Sequence, residues 1–263
     1  MKVGFIGCGN MAQAMIKGIM ASGLVLAEQI MASAKTEKTK EKIQKELRIT
    51  PGTNREVAAF AEILFLAVKP HQYEAVIEEI RDTVADDCLI VTIAPGKTIE
   101  WLEEKFGKSV KIVRTMPNTP ALVKEAMVAM CCSGQVTEDE REKARTLCES
   151  FGRVEEIPES LMDVVTGVSG SSPAYVFMFI EAMADAAVAD GMPRKQAYKF
   201  AAQAVLGSAK MVLETGMHPG ELKDMVCSPG GTTIEAVQVL EEKGLRSAVI
   251  EAQRACVKKA GDM

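Results

Sequence analysis

Apolar residues follow two rhythms along this chain, and the change between them divides it. Over residues 1–160, short and nearly continuous apolar runs alternate with stretches of helical spacing. The runs fall at Val3, Phe5 and Ile6, then at 29–33, 61–68, 88–93, 110–114 and 126–132. Short apolar runs closed by turn residues are what strands buried on both faces of a parallel sheet look like. Between them Met11, Met15, Ile16 and Ile19 share one helical face, as do Tyr73, Val76, Ile77 and Ile80, and a further helix is expected from about 137–140. This alternation predicts an α/β fold with a mostly parallel, doubly wound sheet. Beyond 160 the strand patterns stop. Ser172-Pro173 opens a helix over 174–190 that is apolar nearly all round, so more than one neighbour must bury it. Gly191-Met192-Pro193 breaks it, and 195–214 forms a second helix rich in small residues. That much apolar helix points to a partner subunit, with packing inside the monomer as the alternative.

Chemistry enters at the first turn. The strand runs straight into Gly7-Cys8-Gly9-Asn10-Met11-Ala12, which fits the G-x-G-x-x-G/A pattern of a Rossmann-type dinucleotide site. Gly7 allows the tight turn, Gly9 lets a pyrophosphate approach the backbone, and Ala12 keeps the helix close to its strand. The helix start then presents free N–H groups to the phosphates. In such folds an acidic residue roughly 20 residues on holds an unmodified ribose. Here the second strand ends at Ser33 with no carboxylate, and Lys35 and Lys38 follow. A hydroxyl with nearby cations suits the 2′-phosphate of NADPH. NADH stays open: Ser33 as a helix cap beside a solvated lysine face is the alternative, and Glu37 turned inward would reverse the preference.

The other strand ends supply further candidates, because sites in open parallel sheets form beyond the carboxyl ends of the strands. That rule selects residues 67–70, 93–95 and 115–120. Pro70, Pro95 and Pro117 stiffen the backbone there, although each alone is equally a turn former. In the helical half, Ser228-Pro229-Gly230-Gly231-Thr232-Thr233 turns into a helix carrying Val237, Leu240 and Leu245. Hydroxyls and free N–H groups at that start make a carboxylate receptor, or simply a capped turn.

Composition narrows the class. The chain has 263 residues, 25% charged and 48% hydrophobic, with a formal net charge of −5. This is ordinary globular usage and gives no reason to expect nucleic acid or an anionic membrane as partner. No apolar run is expected to reach membrane-spanning length, and a first strand beginning at Lys2 leaves no room for a signal peptide. Seven cysteines without a C-x-x-C pair, and only His71 and His218, make no zinc pattern. They read as reduced, mostly buried thiols of a cytoplasmic protein.

Five segments, taken in order, resemble the pyrroline-5-carboxylate reductases over essentially the whole length. They are Phe5-Ile6-Gly7-Cys8-Gly9-Asn10-Met11-Ala12, Ala67-Val68-Lys69-Pro70, Arg114-Thr115-Met116-Pro117-Asn118-Thr119-Pro120, Gly167-Val168-Ser169-Gly170-Ser171-Ser172-Pro173-Ala174-Tyr175 and Ser228-Pro229-Gly230-Gly231-Thr232-Thr233. The resemblance implies an oxidoreductase of proline biosynthesis, reducing L-1-pyrroline-5-carboxylate to L-proline with NAD(P)H. It implies a Rossmann-type NADP-binding domain over 1–160 and a helical dimerisation and substrate domain over 161–263, in a homo-oligomer that is a dimer or larger, up to a decamer. Cofactor binding is then expected from Gly7, Cys8, Gly9, Asn10, Met11, Ser33, Lys35, Asn54, Ala67, Val68, Lys69, Pro70, Ile93, Ala94 and Pro95. Substrate binding is expected from Glu159, Met225, Gly231, Thr232 and Thr233, with Thr233 and Lys69 as the catalytic candidates. Met225 and Cys227 stand where relatives often carry small or polar residues. The rival readings are a related imine or hydroxyacid reductase and a non-catalytic NADP-sensing protein. Against the hydroxyacid enzymes, Val176 and Ile180 occupy the places of their catalytic lysine and asparagine.

Overall fold

The computed structural model describes residues 1–262, and the side chain of Lys38, one of the two lysines expected near the cofactor, lies outside the described residues. The strands are β1 Val3–Ile6, β2 Ile30–Ser33, β3 Thr50–Gly52, β4 Ile63–Leu66, β5 Leu89–Thr92, β6 Lys111–Met116, β7 Ala126–Cys132 and β8 Gly152–Glu156. They form one eight-stranded sheet in the order β3-β2-β1-β4-β5-β6-β7-β8. All neighbours run parallel except β6 and β7, so the sheet is mostly parallel and doubly wound. The helices of this part are α1 Asn10–Ala21, α2 Glu37–Lys42, α3 Asn54–Phe60, α4 Tyr73–Ile80, α5 Ile99–Phe106, α6 Glu138–Glu149 and α7 Met162–Val165.

Alternation along each buried strand builds two cores. Val3, Phe5, Ile63, Phe65, Leu89 and Val91 face one side, while Ile6, Leu64, Leu66, Ile90 and Ile112 face the other. Phe5 and Phe65 stack across the β1–β4 pair with ring centroids 4.6 Å apart and planes 8° from parallel. Two strands escape the apolar-run criterion for one reason, their place at the sheet's edges. β3 is the tripeptide Thr50-Pro51-Gly52, and proline is tolerated at an edge where its missing N–H costs no ladder bond. β8 alternates exposed and half-buried positions, with Arg153 and Glu155 outward.

The chain divides into two compact units, residues 1–171 with the C-terminal residues from Cys256, and Ser172–Ala255. The sequence reading puts its boundary at 160/161. Residues 159–171 stay with the sheet because Met162 is fully buried beside Met116 and Ala129, and Asn118 Nδ2 donates to Ser169 O at 2.9 Å. Cys256 Sγ returns to within 3.2 Å of Ser171 Oγ.

The second unit consists of α8 Ser172–Ala189, α9 Arg194–Thr215, α10 Pro219–Val226, α11 Thr232–Glu242 and most of α12 Leu245–Gly261. Leu245, expected on the same helix as Val237 and Leu240, instead begins α12, because Gly244 at φ +74° breaks the run. Of the two readings of α8, the alternative of packing within the chain is corrected and the partner-subunit reading stands: Phe177 is 63% and Met178 69% exposed. The expectation that no apolar run reaches membrane-spanning length is corrected too. Glu159–Ala189 forms a continuous helical stretch of 31 residues, long and apolar enough by length and composition. Gly167, Gly170 and Pro173 hide it in the sequence, but a π-type turn over Thr166–Gly170 takes in the two glycines and Pro173 falls in the first turn of α8, where its missing N–H is tolerated. Of the cysteines, Cys8, Cys88 and Cys148 are buried and the other four are half-buried, fewer than the sequence suggests.

Phe5 and Phe65, stacked across β1 and β4, are both fully buried. Phe65→Ala should cost about 3–5 kcal/mol of stability, read as a lower denaturant midpoint with an unchanged slope.

Candidate functional site

Strands β2, β1, β4 and β5 are consecutive in the sheet and parallel, so their carboxyl ends open on one edge. That edge brings together the segments the sequence selected: residues 7–11 after β1, 33–35 at β2, 67–70 after β4 and 93–95 after β5. Gly7 sits at φ +90°, and an added Cβ there would meet Val68 Cγ1 at 2.8 Å and Ala67 O at 2.9 Å. Both the turn and the close approach to the β4 segment therefore need glycine. Gly9 differs: nothing lies within 4 Å of its missing Cβ, so space is open where the backbone enters α1.

Helix starts on this edge are unequal. Side-chain oxygens of Thr36, Thr53 and Thr98 cap α2, α3 and α5. α1 begins at Gly9 with no side-chain cap and no acidic residue in its first turn. Its leading N–H groups and positive dipole end are thus left for an anion from outside the protein, and a pyrophosphate fits the open space at Gly9. Cys8 takes no ionic part, since burial pushes its thiol up to about 11.

Ser33 ends β2 as expected but is buried, and its hydroxyl is committed within the protein. It donates to Asn54 Oδ1 at 2.6 Å and accepts from Gly7 N at 3.1 Å. Ser33 and Asn54 therefore pin the glycine turn, and Asn54 Nδ2 is itself bonded to Glu79 at 2.7 Å. Lys35 is exposed beside them, while Glu37 is exposed and paired with Lys40 at 2.7 Å rather than turned inward. Lys69 is exposed, its backbone N–H donating to Gln72 Oε1 at 3.3 Å, and Pro70 opens the short turn that follows.

Two buried polar groups on this edge went unassigned in the sequence. The Tyr73 hydroxyl donates to Leu66 O at 2.5 Å, lies 3.0 Å from Thr92 Oγ1 and accepts from Ile93 N at 3.4 Å. Burial pushes its pKa up to about 12, so it stays a neutral phenol. Thr115 Oγ1 adds a bond to Thr92 O at 2.8 Å. The other group is Arg114, with its side chain 3% exposed, donating to Glu159 Oε1 at 2.8 Å. The same oxygen accepts from Ile99 N at 2.8 Å, so Glu159 is tied to a strand and a helix start. An aromatic hydroxyl opening an otherwise aliphatic face, and one arginine ending an apolar strand, were the available signals.

The remaining candidates belong to the second unit. Met225 is exposed near the end of α10. Gly230 at φ +68° turns the chain, and a Cβ on Gly231 would fall 2.5 Å from Ser228 Oγ. Gly231 then starts α11 with no side-chain cap, leaving open N–H groups beside an exposed Thr232 and a half-buried Thr233. An uncapped start flanked by hydroxyls can receive a carboxylate.

Relatives of known kind match this layout. The family described as "Pyrroline-5-carboxylate reductase dimerisation" matches residues 159–263, and "NADP oxidoreductase coenzyme F420-dependent" matches residues 2–96. The pyrroline-5-carboxylate reductase of Escherichia coli K12 is 54% identical over 260 residues, covering 98% of this chain and 97% of that protein. The solved reductase of Coxiella burnetii superposes with a TM-score of 0.90 at 34% identity, over 99% of this chain and 97% of that one. That of Plasmodium falciparum, solved with NADP bound, gives 0.91 at 32% identity over the same shares. With full-length identity this high and the two domains in the same order, the chain belongs to the pyrroline-5-carboxylate reductase family.

Proposed function

We propose that this chain reduces L-1-pyrroline-5-carboxylate to L-proline with NADPH as the preferred donor, NADH serving less well. The observation that carries the cofactor half of this reading is the uncapped start of α1, open at Gly9, inside a chain that belongs to the family. When bound, the nicotinamide supplies a hydride to the ring C=N carbon while the ring nitrogen takes a proton.

The residues of the chain bind and orient. Gly9, Asn10 and Met11 receive the pyrophosphate through backbone N–H groups, while Gly7, whose own N–H is held by Ser33, makes the turn that Ser33 and Asn54 fix. Lys35 meets the 2′-phosphate, which is the basis for the NADPH preference. Residues 67–70 and 93–95 form the wall against which the cofactor lies. Gly231, Thr232 and Thr233 hold the substrate carboxylate at the start of α11, with Met225 nearby in sequence, and the Thr233 hydroxyl bonds carboxylate or ring nitrogen. Lys69 neutralises cofactor phosphate or steadies the strand end. Its ammonium is not the acid, because it would repel a protonated imine. Holding donor and acceptor face to face supplies most of the acceleration.

The chain self-associates through its helical unit. The exposed apolar residues of α8 are read as covered by a second copy rather than by lipid, because the matched dimerisation family spans 159–263. Assembly of dimers up to a decamer, a cytoplasmic location and independence of nucleic acid complete the proposal.

Loss of reduced-nicotinamide absorbance with pyrroline-5-carboxylate as sole acceptor tests the reading. Turnover faster with NADPH than NADH is expected, while NADPH binding without turnover would move the assignment to another imine or a sensing role. Thr233→Ala should lower kcat/KM for the imine by about tenfold or more and leave the NADPH Kd within about twofold. Gly7→Ala forces a Cβ against Ala67 O, so the NADPH Kd should rise at least about tenfold, measured by calorimetry.

A further inference from the structure

The turn over residues 93–98 is anchored at both ends by side chains from different elements. At its start, the Tyr73 hydroxyl accepts from Ile93 N and bonds Thr92 Oγ1, which in turn accepts from Ala94 N at 3.5 Å. The same hydroxyl donates to Leu66 O, the last residue of β4, so it ties the 67–70 segment to the 93–98 turn. At the far end, Glu159 Oε1 accepts from Ile99 N, the first residue of α5, and is held in place by the buried Arg114 guanidinium. Between these ends Pro95 has no N–H to give, Gly96 sits at φ +70° and Lys97 Nζ lies 4.6 Å from the Trp101 ring centroid. Tyr73 is fully buried, with its ring among the aliphatic side chains of the second core, and cannot reach a ligand directly.

We propose that Tyr73 and Glu159 are positioning residues for the nicotinamide cofactor, acting through the 93–98 turn that they clamp at Ile93 and Ile99. This rests on the reading that the 93–95 segment lines the cofactor. It reassigns Glu159 from substrate contact to support of the cofactor wall. Two hydrogen bonds from separate elements set the turn's two ends, and β4 and β6 are thereby locked in step with β5 at the edge where the ligand lies.

Tyr73→Phe keeps the ring and removes only the hydroxyl, and Glu159→Gln keeps the shape while removing the charge. Each is made in the full chain. The NADPH Kd is measured by calorimetry, and kcat and both KM values by turnover. The expected result is a rise of about three- to tenfold in NADPH Kd and KM for Tyr73→Phe, with the KM for pyrroline-5-carboxylate within about twofold of wild type. Glu159→Gln should move the same constants, and the double variant should fall short of the product of the single effects, since both act on one turn. A lowered melting temperature with unchanged NADPH constants would overturn the proposal, as would a Glu159→Gln effect confined to the imine KM. If Glu159→Gln does not fold, because Arg114 is left buried and unpaired, Tyr73→Phe alone decides. Wild-type protein that binds no NADPH would instead sink the functional reading itself, so the two failures are separable.

Discussion

Parallel pairing of β1 with β2 on one side and β4 on the other is the constraint from which the rest follows. These strands are buried on both faces, so their backbone groups can be satisfied only by one another. The pairing leaves unsatisfied groups only at the strand ends, and the parallel sense collects the carboxyl ends on a single edge. Everything chemically interesting in the first unit is a way of dealing with the backbone as it leaves that edge.

The protein deals with it unequally. At α2, α3 and α5, threonine oxygens occupy the N–H groups, and at Ile99 a carboxylate from residue 159 does so as well. At α1 nothing from the protein does. α4 also lacks a side-chain cap but carries Glu74 in its first turn, so α1, with neither cap nor acid there, is the start on this edge open to an anion. Ser33 shows the same economy: its hydroxyl, buried and bonded to Gly7 N and Asn54, shapes the turn from beneath. The buried charge of Arg114 belongs to this scaffolding too, since a guanidinium at 3% exposure must have a carboxylate beside it.

The second unit obeys a different constraint. Its buried apolar residues are small, Ala184, Ala197 and Ala201, while Phe177, Met178, Phe200 and Leu213 stand exposed. Helices that pack through alanines approach closely but bury little area, so this unit gains little stability from its own core. A surface of that size has to be covered, and membership of a family whose matched region is a dimerisation region says by what.

The alternation of apolar runs, the G-x-G-x-x-A turn and the Gly231-Thr232-Thr233 helix start are local patterns, each set by residues within a few positions of one another. For that reason the mostly parallel sheet, the helical second half and the helix starts at α1 and α11 were legible in the sequence, whereas the absence of a side-chain cap at α11 was not. The edge strands were not: β3 and β8 have too little apolar content to show a period, and only pairing with β2 and β7 makes them strands. The continuity of the 159–189 stretch was hidden by two glycines that a π-type turn absorbs and by a proline that falls in the first turn of α8. Ser33, Tyr73 and Glu159 mark the limit most clearly. Their types and places could be read, but their hydrogen-bond partners lie 21 to 26, 7 to 20 and 45 to 60 positions away. Sequence determined which groups were available; only the tertiary structure decided which were free to meet a ligand, because a buried polar atom is claimed by whatever partner folding places within reach.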